Sequence, residues 1–343
     1  MAYTVRSSEK LRKAGADTET KALLYLMNFH QGHDDIYYFV VDFFNDLTGM
    51  DNMAGRLWDV QSKGAHNVSP KEIGKELVTL FKNYISDLTF EAYILFVGSV
   101  TCTLRKDSSL KIFNIKNIKE NALPLIKAGL VQEGQKKEYI DNTTLSEENI
   151  NAFLNKVLFV IDENQKPSDY VKAIISQHPN IIPEENVLTA IFNEIRDKQS
   201  SKKNVSSVEG ITIEATDEVI NYCRHLTANE IRLLTLHRII NRNPLEKGVP
   251  ASFLSIYQKL PPEQQKDTLE ACQRSLCLAL FNKNASGDFW LLFEKTYQSI
   301  INNPDGTVQQ LFQHIKSYNT SSLGFDVLSL KYFIALIKEG IRP

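Results

Sequence analysis

The segment Leu57-Trp58-Asp59-Val60-Gln61-Ser62-Lys63 places a carboxylate, an amide and an ammonium at alternate positions. Successive side chains of a strand point to opposite faces, so Asp59, Gln61 and Lys63 share one face and Trp58, Val60 and Ser62 the other. Upstream, Asp42 and Asp46 would both project to one face of a strand that continues regularly. A hairpin between the two segments then brings a carboxylate beside Gln61 and Lys63. Oxygen ligands from a carboxylate and an amide suit Mg²⁺ or Mn²⁺, and an ammonium can stand by the attacking water or the phosphate. Metal-dependent phosphodiester cleavage needs that grouping. Glu19, on a helix ahead of the strands, can complete the shell directly or through water. No His or Cys is required, in keeping with their scatter along the chain.

The elements that would position these groups are legible in the patterning. Asp17 to Phe29 has apolar residues at helical spacing, and Ile36 to Phe44 is rich in β-branched and aromatic residues, as strands are. Gly49 to Gly55 reads as a turn and Arg56 to Lys63 as a second strand, the two strands forming an antiparallel pair. Ser69-Pro70 opens a helix that runs to Ser86, with Ser as cap and Pro at the first position. Tyr93 to Val100 is apolar on both faces, the mark of a buried strand flanked by helices. No glycine-rich phosphate loop is present. The expectation is an α/β N-terminal domain, a mixed sheet flanked by helices, over residues 1–210. It includes a strand at Val157 to Ile161 and a polar linker or exposed loop at Asp197 to Ser207. From Asp217 onward, beginning with Glu218 to Leu226, nearly everything is helix-periodic, so residues 211–343 form a mostly α-helical region for partner binding or oligomerisation.

Composition narrows the classes. The chain has 343 residues, 43% hydrophobic and 23% charged, which is ordinary for a globular protein. With 39 basic against 41 acidic residues, bulk charge does not coat nucleic acid, although a local basic groove remains open. Lys202-Lys203 with Lys71, Lys75 and Lys82 would line such a groove or simply solubilise a surface. The four cysteines show neither a CxxC pair nor zinc spacing, which fits a reducing cytoplasm. No apolar run is long enough for a membrane helix, so a membrane partner is not expected. His30 and His33 read as loop residues, and Gly287 to Phe293 as aromatic packing in a helical core.

These motifs carry a resemblance. A helix with Glu19, an acidic strand ending at Asp46, Gln61-Ser62-Lys63, Leu80-Phe81-Lys82-Asn83-Tyr84 and the Tyr93 to Val100 strand together resemble the PD-(D/E)xK nuclease superfamily in its QxK variant. The likeness is greatest to the Cap4-type double-stranded DNA endonuclease domain of bacterial anti-phage systems, and extends through Val157 to Ile161 and Asp217-Glu218-Val219-Ile220. It implies a restriction-endonuclease-like fold. Asp46, Gln61 and Glu19 would be ligands of Mg²⁺ or Mn²⁺, and Lys63 the catalytic lysine. Double-stranded DNA would be the substrate, and activation would come from an SMC-like or other ATPase partner or from a homo-oligomer. The sequence departs from the family in having no Pro-Asp pair to mark the acid. The rival reading is a non-catalytic interaction subunit that keeps the nuclease fold as a scaffold; RNA cleavage is a third.

Overall fold

In a computed structural model, residues 3–5, 13–163, 165–175, 181, 183–245 and 248–340 are described. They form two compact units, Met1–Tyr170 with Phe192–Ala228, and Val171–Ile191 with Asn229–Pro343.

The first unit is built on a seven-stranded mixed sheet. Its elements in chain order are β1 (Tyr3–Thr4), α1 (Lys13–Asn28), β2 (Tyr38–Val41), β3 (Leu47–Met50), β4 (Leu57–Lys63), α2 (Pro70–Glu76), α3 (Val78–Tyr84), β5 (Ala92–Val97), β6 (Ile112–Phe113), α4 (Leu123–Gly134), α5 (Glu147–Leu154) and β7 (Val157–Ile161). Then follow α6 (Pro167–Lys172), α7 (Glu185–Lys202), β8 (Thr212–Ile213) and β9 (His225–Thr227), with α6 and α7 each crossing between the units. The strand order is β6-β7-β5-β4-β3-β2-β9, and β1 pairs separately with β8. β4, β5 and β7 run parallel, whereas β2, β3 and β4 form an antiparallel meander. Parallel neighbours need crossover connections, and the helices in those crossovers cover the sheet. β5 accordingly reads Tyr-Ile-Leu-Phe-Val with every one of these side chains buried.

α2 and α3 lie over the face that carries Asp59, Gln61 and Lys63. α1 lies over the other: its Tyr25 ring meets Phe96 at 6.0 Å, and Phe96 is in register with Ser62. Ser69 starts α2 with a full capping box, its hydroxyl accepting from the Glu72 amide while the Glu72 carboxylate accepts from the Ser69 amide. α2 and α4 cross at Gly74 and Gly129, where an added Cβ would fall 2.0 Å from the Ile126 carbonyl and 2.1 Å from that of Lys71. Only glycine permits so close an approach.

Several expectations are corrected. The strand expected over Ile36 to Phe44 ends at Val41, because Asp42 adopts a left-handed conformation (φ 51°) and the chain reverses through 42–46. β3 follows and lies between the two expected strands, so they are not a direct pair, and Asp42 and Asp46 do not share a strand face. Gly49 belongs to β3 rather than to a turn. The expected helix to Ser86 is two helices broken at Leu77. Much of the polar tract at 197–207 is the end of α7. Glu218 to Leu226 is a 3₁₀ turn over Thr216–Tyr222 followed by β9. The first unit thus reaches Ala228, past residue 210, and the second includes 171–191.

The second unit is helical, with α8 (Ala228–Ile239), α9 (Leu254–Tyr257), α10 (Pro262–Phe281), α11 (Ser286–Asn302), α12 (Val308–Ile315) and α13 (Val327–Gly340). Its core gathers Phe253, Phe289, Trp290, Phe293 and Phe333, so the aromatic run in α11 is packing. α13 buries an unbroken stretch from Tyr332 to Ile337, as a helix apolar all round must. Among the described residues no helix is long and apolar enough to cross a membrane.

Candidate functional site

A ladder of three polar pairs joins β4 to the helices above it. Asn83 Nδ2 donates to Asp59 Oδ2 at 2.6 Å, Thr79 Oγ1 donates to Gln61 Oε1 at 2.6 Å, and Lys63 Nζ pairs with Glu76 Oε1 at 3.1 Å. Steps of two along a strand and of three or four along a helix cover similar distances, which is why these rungs coincide. The same alternation that groups Asp59, Gln61 and Lys63 in the sequence therefore sets them opposite one polar stripe of α2 and α3.

The 42–46 turn brings Asp46 to this ladder. Asp46 Oδ2 accepts from Gln61 Nε2 at 2.9 Å, from the Ser62 amide at 2.8 Å and from Ser62 Oγ at 3.0 Å. Two anchors hold the turn. Arg224 Nη2 reaches Asp42 Oδ2 at 2.9 Å, with both side chains buried. On the helix side, the Phe44 carbonyl accepts from Lys82 Nζ at 2.9 Å and from Asn83 Nδ2 at 3.3 Å, while Tyr3 Oη donates to Asn83 Oδ1 at 2.9 Å. The Asn83 amide is fully used: two hydrogens go to Asp59 and Phe44, and its oxygen takes the Tyr3 hydroxyl.

Beneath this clamp the electrostatics are strained. Asp59 is fully buried, and burial pushes its carboxyl up to about 7 against the pull of Asn83, Lys82, Asn45 and the Val60 amide. Burial likewise lowers the Lys82 ammonium, and the nearby Asp59 and Asp42 charges only partly restore it.

The site lies at the carboxyl ends of the parallel strands. The Gly98 amide donates to the Lys63 carbonyl and the Asp162 amide to that of Val97, so β4, β5 and β7 end together. Crevices there are where α/β sheets bind ligands. Asp162, just past β7, is held on the α1 side of the sheet by Lys21 Nζ at 2.7 Å and by the Tyr170 hydroxyl at 2.7 Å.

Asp46 and Gln61 are brought into contact, and Lys63 follows on the same face. Glu19 belongs to α1, which covers the face carrying Ser62, and its carboxylate is paired with Lys203 at 2.7 Å. Asp42, the alternative acid, is committed to Arg224. Two lysines offered for a basic groove are engaged internally, Lys82 on Phe44 and Lys203 on Glu19. His30 is a loop residue, in the bend after α1, and is buried there, which lowers its pKa. Ser62, Thr79, Glu76 and Asn83 were not singled out in the sequence. The signal for the last three was the polar stripe 76, 79, 83 behind the apolar stripe of the same helices.

No protein-family model, curated protein or solved structure matches this chain.

Among the described residues no group of three or more His, Cys, Asp or Glu side chains is placed to hold a metal. The donors at the site are one carboxylate, Asp46, and one amide, Gln61. Mg²⁺ is commonly held by one or two carboxylates with waters and substrate phosphate, so this oxygen set suffices in kind. The Gln61 amide, however, presents nitrogen to Asp46, and cation binding requires its oxygen there.

Proposed function

We propose that the first unit is a metal-dependent DNA endonuclease with a restriction-endonuclease-like fold, acting as an effector of bacterial anti-phage defence under the control of a partner protein. The observation that carries this reading is the contact of Asp46 with Gln61 at the carboxyl end of β4, with Lys63 two residues on along the same face. In this reading Asp46 and Gln61 hold Mg²⁺ or Mn²⁺, which supplies charge neutralisation at a phosphodiester and an acidified water. Lys63 lies 48% exposed and can exchange Glu76 for a phosphate oxygen, placing its ammonium where negative charge develops. The buried clamp of Lys82 and Asn83 on Phe44 keeps Asp46 in place while that happens. A cytoplasmic location is proposed from the cysteine usage, and an ATPase or self-associating partner from the family resemblance alone.

A second reading is favoured by a specific observation. Glu19 and Lys63 are both engaged in ion pairs, and among the described residues Asp46 is the one carboxylate bonded to Gln61. A scaffold subunit that keeps the fold without chemistry would look the same. Purified protein incubated with plasmid DNA and Mg²⁺ or Mn²⁺, with and without the products of neighbouring genes, separates the two. Cleavage lost in both Asp46→Ala and Lys63→Ala is the expected result. No cleavage under any condition, with wild type and variants protecting cells from phage equally, would leave the scaffold.

A further inference from the structure

Gln61 stands between two partners with opposite demands. Its Nε2 donates to Asp46 and its Oε1 accepts from Thr79, and at 6% exposure the side chain has little solvent with which to replace either bond. An N–H is no ligand for a cation, so if Asp46 and Gln61 share one, the amide must turn over. The terminal torsion of glutamine is broad and roughly two-fold, so a half rotation exchanges oxygen and nitrogen between the same two places. Whether both ends stay satisfied then depends on the group opposite Asp46. A hydroxyl can do it, because it both donates and accepts. Thr79 would accept from Nε2 through a lone pair of its hydroxyl oxygen, its own proton turning away from the amide.

We propose that Thr79 is a positioning residue that lets Gln61 exchange its amide ends, so that Asp46 and Gln61 together accept a divalent cation of the Mg²⁺ or Mn²⁺ class. This inference rests on the reading of Asp46 and Gln61 as cation ligands. Valine has the shape of threonine without the hydroxyl, so Thr79→Val strands the turned-over Nε2, whereas Thr79→Ser keeps the hydroxyl. In a Gln61→Glu background there are no unlike ends to exchange, and the hydroxyl loses this role.

The test is titration of the full chain with Mn²⁺ alone, bound ion being read from the loss of the free-ion electron paramagnetic resonance signal. Wild type and Thr79→Ser should bind alike, and Thr79→Val about 10- to 100-fold more weakly, the usual effect of losing a group that orients a ligand. In the Gln61→Glu background Thr79→Val should leave affinity unchanged. Equal binding by wild type and Thr79→Val, or an equal loss in both backgrounds, overturns the inference while the cation reading stands. Absence of Mn²⁺ binding by wild type overturns the cation reading, and the inference with it.

Discussion

Removing the carboxylate of Asp42 gives the sharpest test of how the site turn is held. Asp42 is 8% and Arg224 2% exposed, so deleting one partner leaves a charge buried without compensation. Breaking such a pair costs about 3–5 kcal/mol. Asp42 also sits at φ 51°, a region that costs an ordinary L-residue about 1–2 kcal/mol and glycine almost nothing. The two effects separate by substitution. Asp42→Ala should lose about 3–5 kcal/mol, Asp42→Gly about 1 kcal/mol less, and Asp42→Asn least, because it keeps an acceptor and tolerates the conformation. Asp42→Gly combined with Arg224→Met buries no charge and should recover at least about 2 kcal/mol relative to the sum of the single changes. Urea unfolding followed by fluorescence can report on the first unit alone. Of the two tryptophans, Trp58 lies in β4 and is buried, and Trp290 in the other unit can be replaced by phenylalanine in every protein compared. An Asp42→Ala cost below about 1 kcal/mol, or strict additivity in the double variant, would refute the claim that a buried ion pair anchors the turn.

Other outcomes follow from the same geometry. Asp59 has a folded pKa near 7 against an ordinary 3.8, so its contribution to stability is fully present below 3.8 and is lost as pH rises through 7. Asp59→Asn should flatten the stability profile over that window, and urea midpoints that decline as steeply as in wild type would contradict it. Gly74→Ala drives a methyl into the Ile126 carbonyl and should cost about 3 kcal/mol or more, seen as a lower melting temperature, since neither helix backbone can yield. Ser69→Ala removes the capping hydroxyl of α2 and should cost about 1 kcal/mol in the same assay.

The central elements were legible because each is governed by its own residues. β7 was read at its observed limits and β4 within one residue, since runs of β-branched and aromatic side chains identify buried strands. The Ser69-Pro70 start of α2 was equally local. The alternation of Asp59, Gln61 and Lys63 survives in the fold because a seven-residue strand without a bulge preserves its period. What escaped depends on distant partners. Phe43-Phe44 looked like a continuing strand, and the reversal at Asp42 is stabilised by Arg224, which no local window contains. β9 was taken as helix because a three-residue edge strand has too few residues to show a period, and only pairing with β2 defines it. The pairing of Glu19 with Lys203, just past α7, likewise joins residues far apart in the chain.

The separation of Asp42 from Arg224 has a consequence for biosynthesis. Ribosomes add about 5–20 residues per second, so a sequence separation of 182 takes on the order of ten to forty seconds to synthesise. For the later part of that interval β2, β3 and β4 have been made with their hydrophobic pattern complete, while the edge strand β9 and the guanidinium that fixes their connecting turn have not. The nascent chain must therefore carry its central meander with the Asp46 turn held from one side only, and the phosphodiesterase chemistry proposed for it would be withheld until synthesis has passed residue 224.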